Sequence, residues 1–199
     1  MRKLAFLILA LVAFIPASYA KDARVTQAEN WLKNLTYGQA RFSQKGYDGT
    51  VLTGNFYIHR PGRLRFEYDP PAKDFIVADG VLLYFYDAQQ RQTSTAPVGT
   101  TLADFLLRKN PRLEGDLTVK NVTETADTVT YTIYQTADAS SGTLTVNFRR
   151  EPFQLQSWSI KDAQGLRTDI VLNDFDIGTP LPPSLFVYKD PTGRSRLNN

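Results

Sequence analysis

The chain has no cysteine in its 199 residues, a single histidine, His59, and a single methionine, Met1. Without cysteine there can be no disulfide, no thiol nucleophile and no lipid-modified N-terminal cysteine. One histidine and no cysteine leave no zinc-ligand set, and a Ser-His-Asp arrangement could be built only on His59. His59 lies out of phase with the apolar positions around it, so the pattern places it in solvent. No glycine-rich phosphate loop is present, and no block of lysine and arginine that could track a nucleic-acid backbone. Past the N-terminus no apolar run approaches membrane-spanning length.

What the N-terminus does have is an export signal. Arg2 and Lys3 precede an apolar stretch from Leu4 to Ile15, and Ser18-Tyr19-Ala20 supplies the small residues of a cleavage site. The expected division is a signal peptide over residues 1–20 and one domain over residues 21–199, a size that supports a proper core. The 23 Lys and Arg against 20 Asp and Glu include Arg2 and Lys3. With the leader removed the net charge falls to about +1, so the sequence pI of 9.1 does not point to nucleic acid. An exported chain without a lipid-bearing cysteine is expected to be soluble in the periplasm of a Gram-negative cell.

Most of the remaining pattern is β. One helix opens it, with Val25, Ala28, Leu32 and Leu35 at helical spacing over about Ala23 to Leu35. Alternating runs follow at Tyr37 to Lys45, Leu52 to Arg60, Arg63 to Tyr68, Asp74 to Ala78 and Val81 to Asp87. Asp79-Gly80 between two such runs predicts a tight hairpin of type I′. A second helix is predicted over about Leu102 to Lys109, started by the capping-box pattern Thr101-Leu-Ala-Asp104 and stopped by Asn110-Pro111. Strands resume at Asp116 to Thr123, Val129 to Gln135, Gly142 to Arg149, Leu155 to Lys161, Arg167 to Phe175 and Leu185 to Tyr188. About eleven strands and two or three helices make a mainly β fold, a long antiparallel sheet with one face for the helices to cover. The polar tail from Asp190 to Asn199 reads as frayed.

Carboxylates carry no chemistry in this pattern. Glu67, Asp69, Asp74 and Asp79 fall on outward or turn positions, and Asp169, Asp174 and Asp176 lack loop-like metal spacing. The expectation is therefore no enzyme, no metal and no cofactor. Arg60 is different. Leu52, Gly54, Phe56 and Ile58 occupy one face of a strand, and Arg60 continues that parity, pointing a guanidinium where apolar side chains point. Either Pro61 breaks the pattern and lets Arg60 swing into water, or this cation closes the mouth of an apolar space. Val129, Tyr131 and Ile133 alternate with threonines, as do Leu144, Val146 and Phe148, so most strands have only one apolar face. Two short helices offer little mass to fill such a concavity. The sheet then either packs on its own side chains or leaves room for a ligand.

Gly54-Asn-Phe-Tyr-Ile-His-Arg-Pro-Gly-Arg-Leu-Arg-Phe-Glu-Tyr-Asp-Pro-Pro71, then Ile76-Val-Ala-Asp-Gly80 and Leu83-Tyr-Phe-Tyr-Asp87, resembles the outer-membrane lipoprotein carrier proteins, the LolA family. The likeness is densest from Gly54 to Asp87 and looser after about Arg112. It implies an incomplete, half-open antiparallel β-barrel under a helical lid, and a periplasmic chaperone that shields lipoprotein acyl chains on their way to the outer membrane. It also implies that Arg60 bonds lid carbonyls and holds the lid shut, with partners around Thr100 to Asn110. Leu32, Leu35, Phe56, Ile58, Phe66, Leu102, Phe105, Leu106 and Phe148 are the expected acyl-chain lining. Trp31 and Trp158 fit either lining or ordinary core. The implied partners are acylated lipoproteins as cargo, an inner-membrane lipoprotein-releasing ABC transporter complex and an outer-membrane lipoprotein receptor, with the chain acting as a monomer. Two other classes stay open at this point. One is a lipid- or lipoprotein-sensing, amphiphile-binding protein on the same scaffold; the other is an enzyme using the concavity as a pocket.

Overall fold

The computed structural model describes residues 22–100, 102 and 105–193. The expected leader, most of the capping-box pattern at Thr101 to Asp104, and the end of the polar tail lie outside the described residues. The chain begins with helix α1, Ala23–Asn34, where the Asp22 side chain accepts the Arg24 amide at 2.8 Å as an N-cap. Val25, Ala28 and Leu32 form its buried stripe.

Strands β1 (Tyr37–Lys45), β2 (Val51–His59), β3 (Arg63–Tyr68), β4 (Phe75–Asp79), β5 (Leu82–Asp87) and β6 (Gln92–Pro97) form one antiparallel meander. Strands β7 (Leu117–Glu124), β8 (Thr128–Gln135), β9 (Gly142–Arg149), β10 (Gln154–Asp162) and β11 (Arg167–Ile177) form a second. Pairing of β1 with β11 joins the two into a single eleven-stranded sheet, ordered β6-β5-β4-β3-β2-β1-β11-β10-β9-β8-β7. The edges are β6 and β7, which are consecutive in sequence but unpaired with each other.

The sheet curls strongly. Phe66 on β3 and Trp158 on β10 are four strand steps apart in this order, or ~19 Å across a flat sheet. Their ring centroids are 6.4 Å apart, so the inner face folds onto itself. That face and the stripe of α1 make one apolar cluster with Leu102, Phe105, Leu106, Leu107 and Leu113, residues of the connection from β6 to β7. The half-open barrel is therefore covered by α1 and by the segment that spans its gap. At Gly54 on β2 the barrel wall leaves no room for a side chain, because a Cβ there would fall within the radius of Glu67 O and 2.7 Å from Phe42 Cε1.

Three expectations change. Within the predicted helix from Leu102 to Lys109, none of the described residues is α-helical: Leu102 is in 3-10 conformation and Phe105–Leu107 form a turn. A helix of two turns is costly to nucleate, and its carbonyls are used elsewhere, Leu107 O by the Gly62 amide and Arg108 O by Arg60. Leu185 to Tyr188 is no strand either; Pro183–Phe186 is a 3-10 helix, since Pro182 and Pro183 bring no amide donor to a ladder. The strand that replaces it in the count is β6, whose polar run lacks an apolar face because it pairs only with β5 and lies at the edge. At the Asp79 hairpin, Gly80 has a φ of 110° while Val81 does not share the positive sign, which is the II′ pattern and not I′. Asp79 Oδ1 accepts both following amides, Val81 and Leu82, at 2.9 Å.

Candidate functional site

The strand parity of β2 carries through its end. Gly54, Phe56, Ile58 and Arg60 are all buried, and Arg60 is only 7% exposed. Its own amide donates to Thr36 O at 2.8 Å, which holds the backbone beside the exit of α1. Pro61 therefore does not turn the guanidinium into water.

The guanidinium joins two separate covering elements. Nη1 donates to Leu32 O in the last turn of α1, and Nη2 donates to Arg108 O at 2.6 Å in the segment between β6 and β7. Leu32 O is among the carbonyls a helix end leaves without a donor, and a cation at that end also suits the helix dipole. Nε has no hydrogen-bond partner among the described residues. Burial alone pushes the Arg60 pKa down, to about 10, so the group stays charged at neutral pH with carbonyl dipoles to stabilise it. One more bond stitches the same seam: the Gly62 amide donates to Leu107 O at 2.9 Å. A surface groove of about 410 Å³ follows this seam between Pro61, Gly62 and Gly80 on one side and Leu107 to Asn110 on the other.

Helix α1 has further ties, one of them from Arg24 Nη1, which donates to Val122 O on β7 at 3.5 Å. Tyr131 on β8 donates its hydroxyl to Arg24 O at 2.8 Å, and the Leu113 amide donates to Glu29 Oε1 at 2.8 Å. Burial first, with the nearby Asp22 charge adding to it, pushes the Tyr131 hydroxyl up to about 12, so it remains a donor through the neutral range.

Leu32, Leu35, Phe56, Ile58, Phe66, Leu102, Phe105, Leu106 and Phe148 are all buried and all belong to the single inner cluster. Trp158 is its aromatic centre, with Phe105, Phe56 and Phe66 at 5.8, 6.1 and 6.4 Å. Trp31 meets Phe148 edge-on at 5.2 Å. The covering residue Phe105 thus contacts the floor of the barrel directly. Sequence reasoning left out Phe42, Leu107, Leu113 and Phe175, which join or pack against the same cluster. Strand parity on β1 would have found Phe42, two residues beyond buried Ala40. Leu113 sits in an irregular segment with no period to reveal it.

His59 is half-buried, not in open solvent. It stacks on Tyr37 at 4.3 Å, and Phe186 lies 5.8 Å away, because the C-terminal segment covers this part of the outer face. The carboxylates hold structure. Asp69 binds Arg41 and Thr53, Asp74 accepts the Ala88 amide, and Asp169 pairs with Arg167. Asp190 Oδ1 caps Thr192, so the start of the polar tail is an ordered turn where fraying was expected.

Residues 33–189 match the family model described as "Outer membrane lipoprotein carrier protein LolA". An outer-membrane lipoprotein carrier protein of Leptothrix cholodnii is 30% identical over 179 residues, which cover 85% of this chain and 82% of that protein. One from Chromohalobacter salexigens is 27% identical over 172 residues, covering 81% and 80%. Among solved structures, a DUF1329 family protein of Desulfovibrio piger superposes with a TM-score of 0.50 at 10% identity, covering 83% of this chain and 95% of that one. The last likeness shows the fold alone.

Proposed function

Because the chain belongs to the outer membrane lipoprotein carrier protein family, LolA, we propose that it is a periplasmic carrier of lipoproteins that loads by breaking the Arg60 latch. It accepts acylated lipoproteins released from the inner membrane, shields their chains beneath α1 and the Leu102 to Leu113 segment, and gives them up at the outer membrane. The leader is removed after Ala20. The donor is an inner-membrane ABC transporter complex, and the acceptor an outer-membrane lipoprotein receptor. No step calls for a catalytic group or a cofactor.

The observation that carries the reading is Arg60 reaching both covering elements at once. A long acyl chain gains on the order of 10 kcal/mol on leaving water, at about 0.8 kcal/mol per methylene. A carrier that collected all of that could not release its cargo. To enter, the chain must displace Phe105, Leu106 and their neighbours from the barrel floor. Doing so pulls Leu32 O and Arg108 O away from Arg60, at about 1.5–3 kcal/mol for each charge-assisted bond. The loaded state is weakened by that amount and hands its cargo on downhill. The carrier names of the relatives do not favour the sensing alternative.

The test is a release assay. Spheroplasts making labelled lipoproteins receive the purified protein, and the supernatant is examined for a soluble one-to-one complex. Wild type is expected to release acylated lipoprotein and deliver it to outer membranes. Arg60→Leu is expected to load but to accumulate as the complex. Delivery by Arg60→Leu at the wild-type rate would sink the latch, and no release by folded wild type would sink the carrier reading.

A further inference from the structure

The outer face of the sheet holds a second apolar cluster that the carrier reading leaves unused. Phe75 and Val77 on β4 pair with Tyr86 and Tyr84 on β5, facing away from the inner core. Val77 is fully buried and both tyrosines are buried, because residues 182–188 lie over them. Tyr188 stacks on Tyr84 with centroids 4.3 Å apart and shares a 2.7 Å hydrogen bond with Thr93. Phe186 is buried against His59, and the imidazole in turn lies on the Tyr37 ring.

The covering segment joins no strand ladder. Its amides bond locally, Leu185 N to Pro182 O and Val187 N to Ser184 O, and Arg65 reaches Leu185 O at 3.4 Å. Ring contacts and a few side-chain bonds hold it down. A segment held this way opens at lower cost than a paired strand.

His59 is the one group in this layer whose ordinary titration lies near neutrality. Its Nδ1 is buried and has no hydrogen-bond partner among the described residues. With the proton on Nε2, that nitrogen is only an unused acceptor. A second proton would create a buried, charged donor with nothing to receive it. The charged neighbours add no relief. Arg63 is the register partner on β3 and repels a second cation, while Arg65 on the same face is already paired with Glu67. Tyr37 on β1 and Phe186 on the covering segment present rings. Farther along that segment Lys189 is exposed and Asp190 is turned onto Thr192. Burial first, and Arg63 second, hold the imidazole below its ordinary range.

We propose that His59 is a proton-sensitive clasp for the C-terminal segment. Neutral, it seats Phe186; protonated, it lets residues 182–188 lift and uncovers the aromatic patch of Phe75, Val77, Tyr84 and Tyr86. The sign follows from linkage. The docked form binds fewer protons than the released form, so docking is complete above the free imidazole range and weakens as pH falls through it.

Because His59 is the only histidine, protein purified without a histidine tag gives one imidazole Hε1 resonance, and its titration by proton NMR needs no residue assignment. The midpoint is expected below that of a free imidazole, and Phe186→Ala is expected to raise it. Hydrogen exchange at the Leu185 and Val187 amides, corrected for intrinsic rate, reads docking directly. Between about pH 7.5 and pH 5, spanning the ordinary range, wild type is expected to lose protection by up to the ratio of the two imidazole acid constants. His59→Phe keeps the stack without a proton site and is expected to hold its protection constant. A midpoint that Phe186→Ala leaves in place, or identical pH dependence of protection in wild type and His59→Phe, would overturn the clasp. If Phe186→Ala does not fold, the comparison with His59→Phe decides alone.

Discussion

Arg60 is a cation held in an apolar wall by carbonyl groups of two elements, and its shape matters as much as its charge. The planar fork offers two donors in fixed directions, one toward Leu32 O and one toward Arg108 O. Lysine would bring one compact ammonium and serve one of those carbonyls well. Arg60→Lys is therefore expected to keep part of the latch while exchange of the Arg108 and Lys109 amides quickens. Loss of one such bond, about 1.5–3 kcal/mol, corresponds to on the order of ten- to a hundredfold faster local opening. Unchanged exchange would show that the fork is not needed. Gly54 makes a different demand, for space. Since a Cβ would overlap Glu67 O on β3, Gly54→Ala must push β2 and β3 apart. A cost of about 3 kcal/mol is expected, seen in calorimetry as a drop in Tm of roughly 6–12 °C for a chain of this size.

Among the elements, α1 is the one whose attachment is most easily counted. Tyr131 and, through the Arg24 side chain, Val122 O hold its first turn, Glu29 reaches the Leu113 amide from its middle, and Arg60 takes a carbonyl of its last turn. Its buried stripe is short, so these ties govern how readily it lifts. Tyr131→Phe removes a buried donor and leaves the ring in place. It is expected to cost about 1 kcal/mol, and to raise lipoprotein uptake in the release assay because the helix lifts more readily. A variant as stable as wild type would show that the hydroxyl bond contributes nothing. The segment between β6 and β7 has no α-helix among its described residues. Its carbonyls are turned toward Arg60 and Gly62 and so cannot complete a helical ladder.

For the whole molecule, the decisive property is that the sheet curls but does not close. An inner face shared by strands as distant as β3 and β10 has to be capped along the gap between β6 and β7, and α1 with the intervening segment is the cap. Trp158 then reports on the state of the interior, since Phe105 from the cap touches it at 5.8 Å. Adding an acylated peptide is expected to change tryptophan emission as Phe105 leaves and alkyl chain replaces it. Trp158→Phe should remove most of that change, leaving the part due to Trp31. An emission spectrum indifferent to saturating ligand would mean that the chain binds somewhere other than this interior.

The sequence alone determined much of this architecture, because its strongest signals are local. Alternation set β1, β3 and β9 to the residue, and the same parity raised the inner face for Arg60 beside the alternative that Pro61 turns it into water, which the tertiary structure decided. Each apolar residue expected in the lining lies in the inner cluster, since a one-sided strand can bury only one set of side chains. Other features depended on neighbours distant in sequence. Polar β6 is a strand only because β5 offers it an edge, and Phe105 to Arg108 form no α-helix where Arg60 and Gly62 take the Leu107 and Arg108 carbonyls. His59 is covered because residues 182–188 return to the outer face. Periodicity reports which side of an element is apolar. Only tertiary structure decides what lies against that side, because hydrogen-bond partners and covering rings come from parts of the chain with no fixed spacing between them.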